Sequence, residues 1–238
     1  IQEKIYLNYS DHLVTVSDSL TEEINFFYKK AALVSPVYNG VNHHTFKAFN
    51  SKDLNTSVSN IELIFVGAIN KRKGEFDLVN ALSKINYSNV KLKIIGEGPE
   101  LKNLKNEIES LKLQDSVSLI KNLPHKELIK HLELADIFVL PSYSEGLPKV
   151  LLEAMITNNI IMVSDIRPHK SVINENTGLF FETGNIESLS KKLQLVISNI
   201  ENNRILASNA KQHVLDNYTW TGVAKRINSV YDSIINNK

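Results

Sequence analysis

From Ile61 to the carboxyl terminus, short apolar runs alternate with amphipathic runs of helical period, and Gly, Pro and Asn mark the turns between them. The apolar runs are Glu62–Gly67, Val90–Ile95, Ser116–Ile120, Asp136–Leu140, Ile160–Val163 and Gly178–Phe181. Between them lie helix-like stretches from Glu75 to Ile85, from about Glu100 to Leu113, from Lys126 to Leu134 and from Lys149 onward, with three more after Phe181. Strand–helix–strand repetition with short turns leaves few architectures open. It predicts an α/β chain, a doubly wound parallel sheet with helices on both faces.

The first 46 residues carry their own helix and strand signals, His12–Val16 and a strand near Ala32, ending in Asn39-Gly-Val41. That stretch is too short to bury a sheet by itself. We therefore read residues 1–46 as the tail of another domain and a hinge, 47–60 as a polar linker, 61–216 as one complete binding domain, and 217–238 as a terminal helix. The chain begins at Ile1, in what reads as mid-helix, as a piece of something longer would.

Chemistry concentrates in the run Pro141-Ser-Tyr-Ser-Glu-Gly-Leu-Pro-Lys-Val-Leu-Leu-Glu-Ala-Met155. Glu145 follows a predicted strand and Glu153 lies inside the next helix, whose other residues are apolar nearly all round. A carboxylate buried there needs partners, and vicinal hydroxyls of a pentose are suitable donors. In open α/β sheets ligands sit beyond the carboxyl ends of strands, where helix amino termini present free N–H groups to anions. The first strand ends in Val66-Gly-Ala-Ile-Asn-Lys-Arg-Lys-Gly74, which sets Lys71, Arg72 and Lys73 at that same edge. An ammonium beside a glycine at a helix start suits a diphosphate. A ligand both anionic and hydroxyl-rich, such as a nucleotide sugar, meets both demands.

Other chemistries drop out. Lys plus Arg (27) nearly balance Asp plus Glu (26), so no global field favours nucleic acid. Cysteine is absent, and the seven histidines, with His43 and His44 in the presumed hinge, show no metal-ligand spacing. No metal site and no cofactor are expected. Gly96-Glu-Gly-Pro99 reads as a turn into a helix, and no Gly-x-Gly-x-x-Gly, Walker loop or Gly-x-Ser-x-Gly elbow is present. No apolar run reaches membrane-span length and no signal-peptide pattern opens the chain, which fits a cytoplasmic protein.

The motifs, taken in order, resemble the second half of the retaining glycosyltransferases of the GT-B fold, family 4 (glycosyl transferases group 1). The matching segments are Ser10–Ser17, Tyr38–Val41, Phe65–Gly67, Lys73-Gly74, Ile95–Pro99, Ala135–Ser142, the glutamate pair, Thr177–Phe180 and Trp220. The resemblance implies a donor domain over 61–216 and a helix from Thr221 that crosses back to an acceptor domain whose greater part lies outside this chain. It implies that Lys73, with Arg72, binds the donor diphosphate; that Glu145 sits by the transferred sugar and Glu153 holds the ribose; that backbone of Gly146, Leu147 and Lys149 meets phosphate and sugar; that backbone near Leu123 receives the base; and that Gly67 lines the donor site. The implied reaction moves a sugar, with retention, from a UDP- or GDP-sugar to a glycan or lipid-linked acceptor in surface polysaccharide synthesis. Lipid-linked acceptors in the family imply a peripheral membrane contact.

Two alternatives accompany this reading: a nucleotide-sugar-binding module without transferase activity, and a nucleotide-sugar epimerase of GT-B fold. The chain also departs from the family pattern. Ala68 stands where arginine is usual, leaving Lys71 or Arg72 to replace that cation. Pro148 stands where glycine is common, Thr157–Ile160 lacks the typical glycine, and Ser171 replaces a frequent glutamate.

Overall fold

The computed structural model describes residues 10, 12–27, 33–42, 46 and 60–236. Ile1, the linker 47–60 apart from Asn60, and His43 and His44 lie outside the described residues. Six parallel strands form the main sheet: β3 (Ile61–Val66), β4 (Val90–Ile95), β5 (Val117–Ile120), β6 (Ile137–Leu140), β7 (Ile160–Ser164) and β8 (Leu179–Phe181), in the order β5-β4-β3-β6-β7-β8. The chain thus builds outward from β3 on one side, returns, and builds outward on the other. The crevice between β3 and β6 is the point where the winding reverses, the place where open α/β sheets bind ligands.

Every residue of β6 and β7 is buried, which explains why these strands read as unbroken apolar runs and not as alternation. The connecting helices are α2 (Glu75–Ser83), α3 (Leu101–Ser110), α4 (His125–Leu134), α5 (Lys149–Ile156), the short α6 (Arg167–Lys170), α7 (Ile186–Ser198) and α8 (Ile200–Asn217). They pack in two sets, α2 with α3 and α7, and α5 with α4 and α8. Phe65, Phe138, Leu63, Ile64 and Leu92 fill the core between them.

The amino-terminal part holds β1 (His12–Thr15), α1 (Asp18–Phe27) and β2 (Leu33–Pro36), with β1 and β2 paired in parallel. Residues 38–42 run against the junction of α8 and α9 (Trp220–Asn236): the Val41 N–H donates to the Tyr218 carbonyl (2.8 Å), and the Tyr38 and Tyr218 rings stand 5.3 Å apart. Gly40 is needed here, since a Cβ would come within 2.8 Å of the Trp220 ring. The Arg226 guanidinium lies over Tyr38 at 5.5 Å, and the Tyr38 hydroxyl donates to Asp18 Oδ2 at 2.6 Å.

Where elements differ from expectation, local backbone explains it. The helix expected to reach Leu113 ends at Ser110 because Lys112 takes a left-handed conformation (φ 55°) that turns the chain into β5. Asn158 (φ 63°) does the same after α5 in the segment without its usual glycine, and asparagine tolerates that conformation better than most residues. Beside it, Asn159 Nδ2 donates to the carbonyls of Leu132 and Ala135 (2.9 and 2.5 Å), and the Thr157 hydroxyl donates to Asn159 Oδ1 (2.8 Å). Side-chain hydrogen bonds hold a bend that glycine would otherwise allow. The helix α6 is an element that periodicity did not show, being a single turn too short to carry a pattern.

Candidate functional site

The loops leaving β3 and β6 touch each other at the crevice. Gly74, the residue before α2, has φ 73°, and a Cβ there would sit 2.1 Å from the Pro141 carbonyl oxygen. Only glycine lets the two loops close this far. Three further bonds tie them: the Tyr143 N–H donates to the Arg72 carbonyl (2.9 Å), the Arg72 guanidinium to the Ser144 carbonyl (3.2 Å), and the Tyr143 hydroxyl to Asp77 Oδ2 (2.6 Å). That last bond, together with burial, pushes the Tyr143 phenol up to about 12.

This closure brings Lys73 onto Glu145. Lys73 Nζ donates to Glu145 Oε1 at 2.6 Å, and the side chains are only 14% and 6% exposed. The Ser142 hydroxyl donates to the same oxygen at 2.7 Å. Gly67 lines the approach: a Cβ built on it would lie 3.8 Å from Lys73 Cδ. Arg72 and Lys71 are exposed beside the pair. Of these two candidates to replace the cation missing at Ala68, Arg72 is occupied in joining the loops.

Downstream, Leu147 and Pro148 are buried and anchor the start of α5, whose amino terminus has no side-chain cap. The N–H groups of Lys149 and Val150 therefore open the helix without an intrahelical acceptor. Gly146 is exposed, with open space where a side chain would stand. Glu153 is buried, as the apolar helix around it demanded. Its Oε1 meets His125 Nε2 at 2.8 Å and Lys149 Nζ at 3.4 Å. Leu123 lies partly buried two residues before His125, where β5 gives way to α4.

Lys73, Glu145, Arg72 and Gly67 are thus assembled in one place, and Glu153 with Lys149 on the helix that begins there. Sequence reasoning passed over His125 and Ser142. The first is one of seven histidines without metal-ligand spacing, and nothing in its own segment shows that the helix beside it presents a buried carboxylate. The second stands three residues before Glu145 in the same motif.

A cleft of about 520 Å³ opens on Glu145 and is otherwise lined by Glu22, Glu23, Phe26 and Phe27 of α1 and by Arg167 and Pro168. Arg167 bridges it by an ion pair with Glu22 at 2.5 Å. Lys73 and Glu153 are not part of this lining, so Glu145 stands between the cleft and the cationic part of the rim.

The profile of glycosyl transferases group 1 matches residues 46–213. An uncharacterized glycosyltransferase of Methanocaldococcus jannaschii is 28% identical over 233 residues, covering 93% of this chain and 60% of that protein. The fold matches sucrose-phosphate synthase from Thermosynechococcus elongatus with a TM-score of 0.86 at 22% identity, over 99% of this chain and 61% of that one. It matches Anabaena HepE, solved in complex with UDP and glucose, with a TM-score of 0.85 at 17% identity, over 97% and 65%. The chain therefore spans 60% of the length of the Methanocaldococcus relative. With a doubly wound parallel sheet and a profile match over most of its length, the chain belongs to the glycosyl transferases group 1 family.

Proposed function

We propose that this chain binds a nucleotide-sugar donor and that the whole protein transfers the sugar, with retention, to a glycan or lipid-linked acceptor. The observation that carries the reading is the partly buried Lys73–Glu145 pair in the crevice where the winding reverses. An ammonium has three donors, so Lys73 can hold Glu145 and still reach a phosphate oxygen. The free N–H groups at the start of α5 offer a second anion contact, aided by the helix dipole. As the bond from the anomeric carbon to the diphosphate breaks, these groups take up the charge that develops on the leaving oxygen, without a metal. Glu145 faces the sugar, and an acceptor hydroxyl reaching in from the cleft attacks the anomeric carbon on the face the diphosphate leaves, which retains configuration, and gives its proton to the departing phosphate oxygen.

Glu153 serves the ribose. Its carboxylate is met by His125 and Lys149; pentose hydroxyls would replace them as donors and release Lys149 toward the phosphates. HepE carries UDP on the same fold, which supports a nucleoside diphosphate here. The cleft supports a carbohydrate acceptor: Phe26 and Phe27 offer aromatic faces to sugar rings, and Glu22 and Glu23 accept from hydroxyls. Among the described residues no helix is long and apolar enough to cross a membrane; a lipid-linked acceptor would be met through a peripheral contact.

Calorimetric titration with UDP, GDP and ADP and their sugar conjugates tests the donor site. One nucleotide should bind, and Lys73→Ala and Glu153→Ala should each weaken it at least tenfold. Failure of all three nucleotides, or parent-like binding by both variants, overturns the assignment. Binding without transfer, once the acceptor half is supplied, would select the non-catalytic binding module, and an isomerised sugar product would select the epimerase.

A further inference from the structure

His169, on α6, is completely buried, and its ring touches neither Lys73 nor Glu145 by a hydrogen bond. It is nevertheless joined to the pair through two serines. His169 Nδ1 lies 2.9 Å from the Ser164 carbonyl oxygen and 3.2 Å from Ser164 Oγ. The Ser164 hydroxyl donates to the Ser142 carbonyl at 2.5 Å, and the Ser142 hydroxyl donates to Glu145 Oε1 at 2.7 Å. All three links are short, buried or nearly so, and they run from the end of β7 across the end of β6 into the crevice.

The direction of each bond follows from what each atom can do. The Ser164 carbonyl only accepts, so Nδ1 carries the proton and the ring is the Nδ1–H tautomer. With the Ser164 proton committed to Ser142, the Ser164 oxygen is left to accept from that same Nδ1–H. Nε2 then has neither a proton nor, among the described residues, a hydrogen-bond partner. A protonated ring would bury an N–H with no acceptor there, and burial pushes the imidazole down to about 4, outweighing the Ser164 carbonyl bond and the Glu145 charge, which favour the cation. The ring stays neutral at physiological pH and cannot serve as a proton donor to the sugar. Its geometry leaves it one task, to hold Ser164 so that Ser142 keeps its place.

We propose that His169 is a positioning residue for the Glu145 carboxylate, acting through Ser164 and Ser142. The proposal rests on the donor-site reading above and goes beyond it by assigning the orientation of Glu145 to a residue on a separate element. A carboxylate held by an ammonium alone can swing about it; the second, directional bond from Ser142 fixes which way Glu145 faces the cleft.

The test measures, by calorimetry, the ratio of affinities for a nucleotide sugar and its parent diphosphate (UDP-glucose over UDP, GDP-mannose over GDP, ADP-glucose over ADP) for whichever pair the parent chain binds. His169→Leu keeps the volume and removes the Nδ1 donor; it should shift that ratio at least fivefold while the diphosphate itself binds within twofold of the parent. His169→Asn places an amide N–H where Nδ1–H was and should restore the ratio. In Ser142→Ala the ratio should shift equally, and adding His169→Leu should shift it no further. If His169→Leu does not fold, Ser164→Ala breaks the same chain with the ring in place and should give the same shift. An unchanged ratio in His169→Leu or Ser164→Ala, or an additive effect with Ser142→Ala, overturns the positioning role while leaving the donor site standing. A parent chain that binds none of the six compounds fails at the donor site itself, and the positioning role falls with it.

Discussion

Both rims of the sheet carry charged groups, and they use them differently. At the amino rim, Asp136 is closed off by the fold. Its Oδ2 accepts the Glu62 N–H (3.0 Å), its backbone bonds to β3 and β7, and Arg204 of α8 reaches its Oδ1 at 3.5 Å. Lys93 pairs with Glu62 at 2.9 Å, and Lys91 donates to the Asp115 carbonyl at 2.8 Å. These partners include backbone groups that no ligand can displace. At the carboxyl rim the partners of Glu145 and Glu153 are side-chain donors, Lys73, Ser142, His125 and Lys149. Such donors can turn to a phosphate or yield to a hydroxyl. One rim stores its charge in the architecture and the other keeps it exchangeable, which is the difference between a structural carboxylate and one free to take the binding role proposed above.

The sharpest way to break this contrast is Asp136→Ala. It strips the Glu62 N–H of its acceptor and Arg204 of a buried partner, and should cost about 3 kcal/mol of stability, read by urea unfolding. The folded fraction should bind nucleotide like the parent. A variant that stays stable but loses binding would mean the rims have been assigned the wrong way round.

Glu75 offers a second test, at the carboxyl rim. It is completely buried at the start of α2, and among the described residues neither carboxylate oxygen has a hydrogen-bond partner. Burial, with Glu100 adding to it, pushes the group up to about 7, while backbone N–H groups of its own residue and Asn70 pull the other way without reaching hydrogen-bond geometry. A carboxyl raised in the folded state is protonated there at a pH where the unfolded chain has already lost the proton. Stability therefore falls as pH rises from about 4.5 to about 7 and levels off above. Glu75→Gln should remove that slope, gaining about 3 kcal/mol at pH 8 and little at pH 4. Equal stability of parent and variant across that range would show that the carboxylate is solvated or paired.

The smallest effect belongs to the bend after α5. Asn158→Gly relieves a left-handed residue of its Cβ and should gain a few tenths of a kcal/mol, whereas Asn159→Ala removes the amide that donates to the Leu132 and Ala135 carbonyls and should cost about 1–2 kcal/mol. Thermal melts of the two variants should move in opposite directions. If both rise, the asparagine bonds do not hold the bend.

Much of the fold is legible in the sequence. The apolar runs that became β6 and β7 are continuous because both faces of a central parallel strand are covered, and helical periodicity placed α2, α3, α4 and α5 within a few residues of where they lie. Of the site, Lys73, Glu145 and Glu153 were legible because their charges sit at strand ends or on an apolar helix, where an ionised group stands out. His125 was not, because a histidine at a helix start is unremarkable until the helix beside it is known to present a buried carboxylate. Ser142, Ser164 and His169 were illegible for the same reason, each being an ordinary residue in its own segment.

Periodicity and residue type, read along the chain, decided that this protein builds a doubly wound sheet and that its ionisable groups gather at the carboxyl edge, because those properties depend on neighbours only a few residues away. The pairing of Lys73 with Glu145, of His125 with Glu153, and of His169 with the two serines was decided by the strand order. Hydrogen bonds demand placement to a fraction of an ångström between segments remote in sequence, and only the packed sheet supplies it.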